Sequence, residues 1–85
     1  MVSNPSLDAG GEPWARLYLT RLYELTGGSL RKRARPPDVW TAVGGLATLE
    51  VRQAAEDWLE RNGYIYQESE GCTLLERGKR LVEQR

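Results

Sequence analysis

From residue 14 the chain carries apolar side chains at Trp14, Leu17, Tyr18, Leu22 and Leu25, steps of three and four that follow the helical period. Glu12-Pro13 suits a helix entry, because proline is tolerated in the first turn, and Gly27-Gly28 supplies an end. The pattern predicts a first helix over 13–26. A shorter apolar set, Val39, Trp40 and Val43, lies between Pro36-Pro37 and Gly44-Gly45 and predicts a second helix. Asp38 is its candidate cap, although a start one residue earlier suits Pro37 equally well. Thr48 then stands as an N-cap candidate before Val51, Ala54, Ala55, Trp58 and Leu59, an apolar stripe that stops at Asn62-Gly63. Between these two helices, Gly44-Gly45-Leu46-Ala47 has the length and glycine content of the turn in a helix-turn-helix pair.

After Gly63 the period changes. Tyr64-Ile65-Tyr66 and Cys72-Thr73-Leu74-Leu75 are rich in strand formers and flank a turn signal at Glu70-Gly71, so a β-hairpin is expected. A two-residue loop at Glu70-Gly71 would set Ser69 opposite Cys72 and Gln67 opposite Leu74. Glutamate disfavours the positive φ that such a loop demands, which leaves a longer loop open. Leu81 and Val82 within 76–85 predict a closing helix, weakened by Gly78. Residues 1–12, turn-rich through Pro5 and Gly10-Gly11, read as an N-terminal tail, and 13–85 as one domain. The expected fold class is α+β, mainly α, in the order helix, basic connector, helix, turn, helix, hairpin, helix.

Composition narrows the chemistry. Eighty-five residues with 40% apolar content support one core, and a domain of that size often gains burial from a partner. A single cysteine excludes an internal disulfide and, with no secretory leader pattern, points to a reducing, cytoplasmic setting; no apolar run approaches a membrane span. Histidine is absent, which removes the commonest general base and metal ligand, and no phosphate-cradling glycine run occurs. The adjacent carboxylates Glu56 and Asp57 would diverge by about 100° on a helix, unlike a shared acid-base pair. Cys72 has no neighbouring base in sequence and reads as a buried hydrophobe. Neither an enzyme nor a cofactor or metal protein is expected.

Two stretches resemble the winged-helix superfamily. Val51-Arg52-Gln53-Ala54, followed by Trp58, Leu59, Glu60 and Gly63-Tyr64-Ile65, is similar to the end of the recognition helix in GntR-type regulators, with one more residue before the glycine. Leu74-Leu75-Glu76-Arg77-Gly78-Lys79-Arg80-Leu81 resembles the second wing strand and following helix of MarR- and PadR-type regulators, with Leu75 where threonine is usual. The resemblance implies a winged helix-turn-helix: a three-helix core, a β-hairpin wing and a short C-terminal helix. It further implies a DNA-binding transcriptional regulator, whose third helix enters the major groove while the wing touches backbone or minor groove.

On that reading Thr48, Arg52 and Gln53 are the candidate base readers, since Arg can fork onto guanine and Gln onto adenine. Exposed Arg and Gln are also ordinary helix residues. Arg31, Lys32, Arg33 and Arg35 form a candidate phosphate clamp, or a solvated loop, and Arg77, Lys79 and Arg80 form a second basic cluster. Against DNA stands the charge of the reading elements. Residues 48–62 hold Glu50, Glu56, Asp57 and Glu60 against Arg52 and Arg61, a balance of minus two, and the hairpin adds Glu68 and Glu70. The whole chain, with twelve basic and twelve acidic residues, is neutral. The alternative is therefore a protein-interaction module that uses the acidic helix 48–62 and wing 64–75; an RNA partner would reuse the basic connector. Three tryptophans and four tyrosines with no phenylalanine complete the set. Trp58 and one face of Trp14 are expected in the core, and Trp40, Tyr23 and Tyr66 are the candidates for exposed interface anchors. A homodimer through the first and last helices is the expected assembly.

Overall fold

A computed structural model describes residues 12–45 and 47–84. The order is α1 (Glu12–Thr26), β1 (Arg33–Ala34), α2 (Pro36–Val43), α3 (Leu49–Arg61), β2 (Ile65–Glu68), β3 (Gly71–Leu74) and α4 (Glu76–Glu83). The architecture is α+β and mainly helical, four helices against a three-stranded antiparallel sheet of order β1-β3-β2. The expected tail, 1–12, lies outside the described residues apart from the backbone of Glu12, and so does Leu46 of the expected turn.

Helix α1 is the element on which the rest packs. Its buried face is Ala15, Tyr18, Leu19, Leu22 and Thr26, which differs from the expected stripe. Leu17 and Leu25 are 41% and 51% exposed. At about 100° per residue, Tyr18, Leu22, Ala15, Thr26 and Leu19 follow one another within an arc of about 100°, whereas Leu17 lies about 100° outside it. Thr26 is tolerated inside because its hydroxyl donates to the Leu22 carbonyl at 2.8 Å. Val39 and Trp40 from α2, Ala55 and Leu59 from α3, and Ile65, Cys72 and Leu74 from the sheet complete the core. Each fully buried side chain of leucine size contributes about 1.5–3 kcal/mol.

The expectation for Trp40 is reversed, and Trp58 packs against the core from its margin. Trp40 is buried, with its ring centroid 5.0 Å from Tyr18 and 6.5 Å from Trp14, while Trp58 stays half-buried beside Tyr64 at 5.6 Å. Helical spacing fixes the face on which a residue lies but not its depth, and the rings of Trp14 and Tyr18 on α1 cover Trp40. Tyr66 is exposed, as its alternation in β2 requires. The Trp14 ring lies over Gly45, where an added Cβ would stand 2.8 Å from its Cη2. A side chain at 45 would thus collide with the α1 residue that covers the end of α2.

Three local features differ from the sequence reading. The basic connector is not all loop: Arg33 and Ala34 pair with Thr73 and Cys72 as an edge strand. Helix α2 starts at Pro36 with Arg35 as its N-cap, so Asp38 occupies the first turn instead of capping it. Arg35 holds the extended conformation, φ −79° and ψ 136°, to which a residue before proline is confined. The hairpin pairs Ile65 with Leu74 and Gln67 with Cys72, two positions away from the register that a Glu70-Gly71 loop would set. Its loop is Ser69-Glu70, both at negative φ, and Gly71 takes the positive value. Glycine thereby absorbs the conformation that Glu70 resists.

Gly78 has a packing role in α4. It is buried, and a Cβ there would overlap the Tyr64 carbonyl oxygen and press on Leu19 Cδ1. The helix propensity that glycine forfeits permits close approach of α4 to the hairpin base, where Leu75 N–H donates to the same Tyr64 carbonyl at 3.1 Å.

Candidate nucleic-acid interface

The basic segment begins where α1 unwinds. Gly27 and Gly28 adopt φ of +65° and +77°, and Gly28 N–H returns to the Tyr23 carbonyl at 2.9 Å. Ser29 Oγ next accepts from the Arg31 and Lys32 amides at 3.1 and 3.3 Å, which shapes the turn that presents both side chains. At the far end the Arg35 carbonyl accepts from Asp38 and Val39. Backbone bonds thus anchor the segment at both ends, leaving Arg31, Lys32, Arg33 and Arg35 exposed.

These four cations do not share one environment. Arg33 Nη1 contacts Glu70 Oε1 at 2.7 Å and its Nη2 lies 3.5 Å from Glu68 Oε1, so β1 supplies the hairpin with a cation that the hairpin's own sequence lacks. Arg31, Lys32 and Arg35 form no ion pair among the described residues. In the second cluster, Arg80 pairs with Glu76 at 3.0 Å and the Arg77 guanidinium lies 5.2 Å from the Tyr64 ring centroid.

On α3, Thr48 is the N-cap, its hydroxyl accepting from Val51 N–H at 3.2 Å. Arg52 turns inward: its Nε donates to the Ala47 carbonyl at 3.1 Å, and its guanidinium carbon lies 5.7 Å from the Trp40 ring centroid. Gln53 stays exposed. Of the three candidate readers, then, Gln53 is the one whose side chain makes no contact with another described group in the hydrogen-bond and ion-pair network. Glu50, Asp57 and Glu60 are exposed on the same helix, with Asp57 bound to Arg61 at 2.9 Å.

One polar latch escaped the sequence reading. Trp40 Nε1 donates to Glu56 Oε2 at 2.6 Å and ties α2 to α3 beneath Arg52. Burial pushes the Glu56 carboxyl above the usual carboxylate range, opposed by the Trp40 bond and the Arg52 charge. The available signal was the indole N–H itself, which needs an acceptor once Trp40 is placed inside. Cys72 is buried and in no disulfide, and burial pushes its thiol up to about 11. It lies against Tyr18, whose buried hydroxyl has no nitrogen or oxygen partner among the described residues.

Between α1 and α4, Pro13, Leu17, Leu19, Leu81 and Val82, with Arg16 and Thr20, line an open and mostly apolar groove of about 420 Å³. No helix among the described residues is long and apolar enough to cross a membrane. No protein-family profile, curated protein or solved structure matches this chain.

Proposed function

We propose that this chain is a winged-helix domain that binds duplex DNA chiefly through phosphates, in the manner of a transcriptional regulator. Support for the fold comes from the order of elements: a short strand between the first two helices returns to the far edge of the hairpin that follows the third. Support for the ligand comes from one observation, the cations Arg31, Lys32 and Arg35, without an ion pair among the described residues and carried within five residues between anchored ends. Cations that displace condensed counterions are the main source of affinity for a duplex. Gln53 is the base-reading candidate that remains available, and Thr48 and Arg52 serve α3 and its seat on α2. The contact is therefore heavier in phosphate than in base recognition. Titration of a labelled duplex at low and moderate salt, with wild type and an Arg31/Lys32/Arg35→Ala variant, tests this reading.

A specific observation favours a second reading. With Arg52 turned onto Trp40, the outer side of α3 presents Glu50, Gln53, Asp57 and Glu60, a surface suited to a basic protein partner. Absence of duplex binding at low salt would favour it. Either way, the apolar α1/α4 groove with exposed Leu17 supports a homodimer, which sedimentation equilibrium detects as a concentration-dependent mass.

A further inference from the structure

We propose that Glu68 and Glu70 hold Arg33 as an internal competitor of phosphate, so that the wing sets how tightly the domain grips DNA; this rests on the DNA reading above. Four cations lie in the basic segment, and Arg33 is the one engaged by carboxylates. The route is built into the sheet. Arg33 stands on the edge strand β1, opposite Thr73, and its Cβ lies 3.1 Å from where a Cβ on Gly71 would be. The bare glycine leaves the path over the end of β3 open, and the guanidinium reaches across it to the loop.

The contact has the chemistry of the ligand that it would exclude. Arginine donates in a fixed fork, and here one arm donates to Glu70 at 2.7 Å while the other faces Glu68 at the longer ion-pair distance of 3.5 Å, positions that phosphate oxygens could take. The trio carries a net charge of minus one, so the closed wing repels a polyanion that the neighbouring Arg31, Lys32 and Arg35 attract. All three side chains are well solvated, at 47%, 33% and 68% exposure, and exposed pairs of this kind exchange readily because water and salt weaken them. The carboxylates thus compete with a duplex phosphate for Arg33, and the guanidinium adds its phosphate contact in full only when they are removed.

The test is a titration of labelled duplex DNA over a range of salt with wild type, Glu68→Gln/Glu70→Gln, Arg33→Ala, and the triple variant, each checked for native circular dichroism. Removing the two carboxylates is expected to tighten binding several-fold and to steepen the log–log salt dependence by about 0.9, the value of one added phosphate contact. In the Arg33→Ala background the steepening should vanish, and any residual gain reports only the lost negative charge. Glu70→Gln alone, at the shorter contact, should give most of the effect. An unchanged slope in Glu68→Gln/Glu70→Gln, or an equal change with and without Arg33, overturns this clamp while leaving DNA binding in place. No binding by wild type or by Glu68→Gln/Glu70→Gln at low salt overturns the DNA reading and the clamp together.

Discussion

The indole N–H of Trp40 and the carboxylate of Glu56 meet at 2.6 Å, joining α2 to α3 through a partly buried bond. Hydrogen bonds to charged acceptors in such settings are stronger than neutral ones, and loss of one partner leaves the other unsatisfied. Glu56→Ala should therefore lower stability by about 1–2 kcal/mol, with Glu56→Gln, which keeps an acceptor, costing less than half as much. Urea unfolding followed by tryptophan fluorescence measures both. Equal stability of wild type and Glu56→Ala would mean that the latch contributes nothing.

The same carboxyl gives a pH dependence of defined sign. Burial raises the folded pKa of Glu56 above its unfolded value, so the native state binds the proton more tightly. Its contribution to stability is then fully present below the unfolded pKa and is lost as pH rises from the ordinary carboxylate range through the raised folded value. The difference in unfolding free energy between wild type and Glu56→Gln should shift against wild type over that window and level off above it. A difference that is flat with pH would contradict the assignment.

Gly78 supplies a third test, because two principles pull in opposite directions. Alanine is the better helix former by about 0.8–1.0 kcal/mol, yet a Cβ at 78 has the Tyr64 carbonyl and Leu19 in its way. Backbone cannot yield as a flexible side chain does, so Gly78→Ala should destabilise by about 1–3 kcal/mol. A gain in the unfolding midpoint would show that α4 does not dock as closely as described.

Tyr18 and Cys72 make a fourth. The Tyr18 hydroxyl is buried without a nitrogen or oxygen partner, and the neighbouring thiol is a weak substitute. Tyr18→Phe should accordingly be neutral or stabilising by up to about 1 kcal/mol, unlike most core substitutions. The Cys72 thiol, raised to about 11 by burial, should react with a disulfide reagent in the native protein only as fast as the fold opens, and at once in urea. Rapid native labelling would contradict that burial.

How far the sequence foretold these features depends on whether a residue's partners lie within its own element. The helices were legible because Tyr18 and Leu22, or Ala55 and Leu59, repeat at helical spacing and Thr48 and the glycines mark ends. Strand β1 was not, since two residues carry no period and Arg33-Ala34 is extended only because Thr73 and Cys72 stand beside it. The hairpin was legible, but its register turned on which residue would accept positive φ, and Gly71 took it from Glu70. Counting charge element by element made the hairpin purely acidic, whereas the fold brings Arg33 to Glu68 and Glu70 from 35 and 37 positions away. Arg52 looked like a reader because helical spacing leaves it near the surface, but the buried Trp40 ring gives its guanidinium a face to rest on.

The central claim is that Arg31, Lys32 and Arg35 bind DNA phosphates, and the salt dependence of duplex affinity tests it most directly. Wild type should bind measurably at low salt, with a log–log slope that falls by about 2.7 when the three residues become alanine. Wild type that fails to bind at low salt, or a variant that binds with the same slope, would contradict it.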